Sequence, residues 1–185
     1  VTGTPIQSFD GKAYLTGVMS GVMQKDTLTG LYNRRFINEK LPVLIKEASE
    51  NGQPISLIFA DVDHFQSVNE QYGHIAGDLV LQHIAELLKK GACRGDSWVA
   101  RYSADEFMIC LPGVNNAAAY RVANRMRVSV MNERFRLENG STRLTCCFAV
   151  RTLEQSDLHL SAQTLLTWAD ETLERIKQTG GNMIF

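Results

Sequence analysis

Trp98-Val99-Ala100-Arg101-Tyr102-Ser103-Ala104-Asp105-Glu106-Phe107-Met108-Ile109-Cys110-Leu111-Pro112 is the stretch whose reading decides the fold. Val99 and Ala100 are apolar, residues 101–106 are polar or small, and residues 107–111 are apolar again. Two apolar runs around a short turn-like insert are a hairpin signal. The turn carries two adjacent carboxylates, Asp105 and Glu106. At the tight end of a buried hairpin such a pair must be solvated, paired or bound to a cation.

A second acidic pair lies upstream. Ile55-Ser56-Leu57-Ile58-Phe59-Ala60 has the length and composition of a buried strand and runs into Asp61-Val62-Asp63. Strand alternation puts Asp61 and Asp63 on one face, where they repel. A divalent cation is one relief, and a capping role at a strand-to-helix turn is the other reading. Residues 64–74 pattern as a short helix closed by a turn at Gly73. Ile75-Ala76-Gly77-Asp78 then opens a helix with an apolar face of Leu79, Val80, Leu81, Ile84, Leu87 and Leu88, ended by Gly91.

Working outward, Asp26 and Thr29 are turn or N-cap residues, and Arg34-Arg35 opens a helix to about Ala48 with a kink expected at Pro42. Residues 115–135 pattern as one long helix, with Arg121, Arg125, Arg127 and Arg134 as a solvated basic face. Residues 142–150 read as one strand. Ser161 caps a final helix that turns Leu165, Leu166, Trp168, Ala169, Leu173 and Ile176 inward. Residues 180–185 read as a turn and a last strand. Residues 1–25 are glycine-rich, with a glycine-weakened helix at 14–23, and read as a linker or the tail of an upstream domain.

The 185 residues suffice for one domain with a full core, and 44% hydrophobic with 21% charged content excludes disorder. A net charge of -1 provides no global field toward nucleic acid or anionic membrane. None of the four cysteines, Cys93, Cys110, Cys146 and Cys147, forms a C-x-x-C pair, which disfavours a zinc or redox motif. Cys110 and Cys147 fall in apolar strand-like runs, as buried free thiols in a reducing compartment do. There is no signal peptide and no apolar run of about 18 residues to span a membrane. The chain begins at Val1 without Met and reads as a fragment.

The hairpin resembles the signature of the GGDEF family, the diguanylate cyclases: Arg, aromatic, Gly, Gly, Asp or Glu, Glu, Phe. Here it is Arg101, Tyr102, Ser103, Ala104, Asp105, Glu106, Phe107. The family's opening motif is matched by Asp26, Leu28, Thr29, Leu31, Asn33, Arg34 and Arg35. Its Asp-x-Asp block is matched by Asp61, Asp63, Phe65, Asn69, Gly73, His74, Gly77 and Asp78, with Gln66 for the usual Lys and Glu70 for Asp. Its ending is matched by Ala169, Asp170, Leu173, Lys177, Gly180 and Asn182, with Glu174 for Tyr and Gly181 for Arg. A family Ser-x-Gly strand has Phe148 or Ala149 at its glycine. The resemblance covers residues 26–185.

The resemblance implies an α/β (α+β) fold: a central mixed, mostly antiparallel sheet of about five strands flanked by helices, similar to nucleotide cyclase and polymerase palm domains. It implies condensation of two GTP into cyclic di-GMP by a homodimer of facing domains, with two Mg2+ or Mn2+ per site. Asp61, the carbonyl of Val62 and Asp105 would hold metal, and Asp105 and Glu106 would be catalytic. His64 and Phe65 would offer backbone N–H groups to phosphate, Asn69 and Asp78 would bind guanine, and Lys177 would neutralise charge. GTP is the implied partner, nucleic acid is not, and a missing upstream sensory domain is expected. The domain is expected in the bacterial cytoplasm, alone or as part of a membrane-bound protein. The family's inhibitory product site, Arg-x-x-Asp, is reduced to Arg94 with Ser97 at the Asp position, and is expected to be absent or weak.

Ser103 and Ala104 replace both signature glycines. A positive φ at either would cost roughly 1–2 kcal/mol, and a close approach of nucleotide would meet the Ala104 methyl. These departures motivate an alternative: an inactive domain that binds GTP or a partner protein and regulates.

Overall fold

The computed structural model describes residues 24–92, 95–138, 140–154, 157 and 160–185. The helix expected at 14–23, Cys93 and Arg94 lie outside the described residues. In chain order the elements are α1 (Arg34–Asn51), β1 (Ile55–Val62), α2 (Phe65–Tyr72), α3 (His74–Ala92), β2 (Trp98–Arg101) and β3 (Glu106–Pro112). They continue with α4 (Asn116–Asn132), β4 (Phe135–Leu137), β5 (Gly140–Thr142), β6 (Cys146–Leu153) and α5 (Ala162–Gln178).

β1 is central because it is apolar on both faces, and all eight of its residues are buried. The main sheet has the order β2-β3-β1-β6, and each neighbouring pair is antiparallel. Alternation sends Ile58, Ala60 and Val62 against Val80, Ile84 and Leu88 of α3 and Ala123 and Met126 of α4. It sends Leu57 and Phe59 against Ile37 and Leu41 of α1 and Leu166, Ala169 and Leu173 of α5. Asp61 continues this second row, so its carboxylate emerges on the α5 side.

Several expectations are corrected. α1 carries Pro42 within its span; Asp26 and Thr29 form the preceding turn, Thr29 N–H donating to Asp26 Oδ1 at 2.8 Å, and the cap itself is Asn33, its side chain accepting from Phe36 N–H at 3.1 Å. α4 stops at Asn132, and Phe135 instead starts β4, which pairs with β5 in a small second sheet. The strand expected at 142–150 is split: Thr142 ends β5, and β6 begins at Cys146. The helical spacing continues past Asn132, but Phe135 is buried in the core, and extended backbone at Glu133 takes it there. The last strand is reduced to a parallel bridge of Ile184 with Phe148 at the edge of a four-stranded main sheet among the described residues, in keeping with the expected mostly antiparallel sheet of about five strands. Nor is the basic face of α4 simply solvated. Arg125 donates to the Gly91 carbonyl at 2.6 Å, and Arg127 to Asn182 Oδ1 at 2.9 Å.

Cys110, Cys146 and Cys147 are buried free thiols. No helix of the described residues is long and apolar enough to cross a membrane.

Candidate functional site

At one end of the sheet the close of β1, the β2–β3 turn, the start of α2 and the last turn of α5 meet around a cavity of about 580 Å³. Val62, His64, Phe65, Asp105 and Lys177 all line it. Five of the expected site residues are therefore brought together.

Asp61 lies beneath the cavity at 3% exposure, paired across the sheet with Glu106. Lys177 Nζ, from the last turn of α5, reaches Asp61 Oδ1 at 2.6 Å. Apart from that ion pair the buried Oδ1 accepts no hydrogen bond. Burial pushes the Asp61 carboxyl up to about 7; Lys177 opposes the shift, and Asp105 and Glu106 add to it.

The signature turn is braced from both ends. Tyr102 N–H donates to the Glu106 carbonyl at 2.8 Å. Arg101 donates to the Ala104 carbonyl through Nε at 3.1 Å and Nη2 at 2.6 Å, and its Nη1 reaches Asp26 Oδ1 at 3.3 Å. The Ser103 hydroxyl donates to the Glu106 carboxylate. Phe107 is fully buried and anchors the start of β3. Among the described non-glycine residues only His64 and Asn182 have positive φ. Ser103 and Ala104 therefore carry none of the left-handed strain considered for them, and both residues are exposed.

Asp61 and Asp63 are engaged differently, Asp61 by Lys177 and Asp63 by protein hydrogen-bond donors. The Asp63 carboxylate accepts from Thr145 Oγ1 at 2.6 Å, Cys147 Sγ at 2.7 Å and the backbone N–H of Asn182 at 2.8 Å. Its charge is met by protein donors, and it ties the β1–α2 elbow to β6 and to the turn after α5. The same carboxylate explains Gly181. That residue has φ +74°, and a Cβ there would lie 2.8–2.9 Å from the Asp63 carboxyl atoms. Nothing in the sequence flags this network, because its members stand 82, 84 and 119 positions from Asp63.

His64 turns the chain with φ +56°, and no side chain caps α2. His64, Phe65 and Gln66 at this uncapped helix start line the cavity, and the backbone N–H groups a helix leaves over at its first residues suit an anion. Asn69 and Asp78 do not line this cavity. Asn69 lies one turn along α2 from Phe65, and Asp78 is exposed at the start of α3.

The donor set fits a divalent cation. No cluster of three His, Cys, Asp or Glu side chains that could hold a metal exists among the described residues. The site instead offers a buried carboxylate, Asp61, whose single charged partner among the described residues is Lys177, with Asp105 close enough to raise its pKa. One or two carboxylates completed by phosphate oxygens are how Mg2+ is usually held at nucleotide sites.

The chain is similar to the response regulator PleD of Caulobacter vibrioides, 32% identical over 159 residues, 86% of this chain and 35% of that protein. It is 30% identical over 155 residues to the diguanylate cyclase DgcP of Pseudomonas aeruginosa, 84% of this chain and 22% of that one. It thus spans about a third or less of these curated relatives. In fold it matches the GGDEF domain of DgcB from Caulobacter crescentus, solved in complex with c-di-GMP. The TM-score is 0.80 at 24% identity, over 100% of this chain and 97% of that one. The active GGEEF domain of a diguanylate cyclase from Vibrio cholerae matches with a TM-score of 0.75 at 27% identity, over 83% and 96% of the two chains. The family model described as diguanylate cyclase, GGDEF domain, matches residues 23–183, and the chain belongs to that family.

Proposed function

We propose that this chain is a diguanylate cyclase domain, joining two GTP into cyclic di-GMP where two copies face one another. The observation that carries the reading is the buried Asp61 carboxylate, held by Lys177 and beside Asp105, at a cavity that the uncapped start of α2 also lines. One wall would hold a cation and the other an anion.

Asp61, Asp105 and the Val62 carbonyl would hold Mg2+ or Mn2+, two per site, which would neutralise the triphosphate charge and stabilise the transferring phosphoryl group. The amides of His64 and Phe65 receive phosphate oxygens, and Lys177 adds positive charge. Ser103 orients Glu106 beside Asp61. Asp78 accepts the N1 and N2 protons of guanine together, a pair adenine does not offer, and Asn69 reads the same base. The domain would act in the bacterial cytoplasm under an upstream sensory domain.

Incubation with GTP and Mn2+, read by chromatography, tests this. Cyclic di-GMP should form, and Asp105→Asn should abolish it; no product after long incubation of a concentrated sample refutes the reading.

A second reading, a GTP-binding regulatory module without turnover, is favoured by Gly181. Lys177 is the one cation among the described residues lining the cavity, and it already pairs with Asp61. GTP bound without product would select it.

A further inference from the structure

We infer that Gly77 is a positioning residue for guanine selectivity, leaving room for the Asn69 carboxamide to lie across the start of α3 beside Asp78. The inference rests on the cyclase reading of Asn69 and Asp78.

α2 and α3 are joined by a single residue, Gly73, whose N–H bonds back to the Asn69 carbonyl at 2.9 Å; Gly77 N–H bonds in turn to the Gly73 carbonyl at 3.1 Å. This tight corner lays the first turn of α3 against the end of α2. Gly77 is buried at the contact. A Cβ there would stand 2.0 Å from Asn69 Oδ1, 3.1 Å from Asn69 Cγ and 3.2 Å from Phe65 Cζ. The Phe65 contact is relieved by a shift of a few tenths of an ångström. The Asn69 contact is not: its amide has to retreat by more than an ångström. No other atom within 4 Å is nearer, so the space Gly77 leaves empty is the space the Asn69 amide uses.

Asp78 follows Gly77 directly in the chain, so its place relative to Asn69 is set by the same contact. Two groups that read one base must hold their separation, and a displacement of about 1 Å is enough to spoil such geometry. The fold itself does not need glycine here. The φ of Gly77 is not in the left-handed region, and within a helix alanine is the more stable residue.

The test is Gly77→Ala, with α,β-methylene analogues of GTP and ATP as unreactive probes, measured by calorimetry with Mn2+. The variant should stay folded at the assay temperature, checked by its melting curve. Its affinity for the GTP analogue should fall about tenfold, the weight of one lost hydrogen bond, with no change toward the ATP analogue. Because Gly77 acts through Asn69, Asn69→Ala with Gly77→Ala should bind no more weakly than Asn69→Ala alone. The side-chain amide resonance of Asn69 should shift in Gly77→Ala without nucleotide. Unchanged selectivity, additive losses in the double variant, or an unmoved Asn69 resonance would overturn the inference and leave the cyclase reading standing. A wild type that does not prefer the GTP analogue over the ATP analogue would overturn both.

Discussion

Replacing Asp61 by Asn should make the metal-free protein more stable at neutral pH while removing a ligand of the metal proposed above. Burial moves the Asp61 carboxyl from its ordinary 3.8 to about 7. An unfolded chain ionises this group near 3.8, whereas the folded chain keeps it protonated until pH approaches 7. Between those values the folded state holds the extra proton, so stability falls as pH rises. Each unit costs about 1.4 kcal/mol, and the whole window on the order of 4 kcal/mol. Asp61→Asn has no proton to lose and keeps that stability. Urea unfolding of both proteins in EDTA from pH 4 to pH 8 measures the effect, and their difference removes the contribution of every other titrating group. The two should lie closest near pH 4 and diverge toward pH 8, with the variant above. Added Mn2+ should then raise the wild type by mass action and leave Asp61→Asn unmoved. A difference that does not change with pH would refute the reasoning, because Asp61 would then ionise as it does in water.

Gly181→Ala should destabilise by about 1–2 kcal/mol from positive φ, with a further loss from the crowded Asp63 carboxylate, seen as a lower urea midpoint. Gly181→Arg, which restores the residue usual in the family, should therefore fail to raise nucleotide affinity in calorimetry. Ala104→Gly relieves no φ strain, so it should lower stability by about 0.4–1 kcal/mol through the unfolded chain; a gain would contradict the φ described for the turn. Arg101→Ala should free both the Ala104 carbonyl and Asp26, and hydrogen exchange should quicken at Tyr102 and Thr29 together.

The sequence made β1, the signature hairpin and the last helix legible because each has an uninterrupted apolar pattern ended by a turn or cap. Asp61, Asp105 and Lys177 could be named because short motifs carry them, and the geometry gathers them around one cavity. What stayed illegible depends on contacts between distant segments. Asp63 looks like the partner of Asp61 by spacing, yet Thr145, Cys147 and Asn182 claim it. The end of α4 could not be found from periodicity, since Phe135 fits a helix as well as it fits β4, and burial decides. Gly181 looked like a lost arginine; in three dimensions it is the residue that admits Asp63. Asn69 and Asp78, expected from the motif to share the site, stand outside the cavity that Val62, His64, Phe65, Asp105 and Lys177 line.

Both borders of the main sheet are blunted by short bridging segments. Tyr32 lies along the outer side of β2, exchanging hydrogen bonds with Val99 and Arg101. Residues 183–185 lie along the outer side of β6, bonding to Phe148 and Val150. Open strand edges invite further strands, from kin or from strangers. Here those positions are taken from within the chain, so runaway stacking by sheet extension is blocked at both sides. A second copy meeting the main sheet would then find helix faces and loops there, contacts that form and separate without unzipping a ladder.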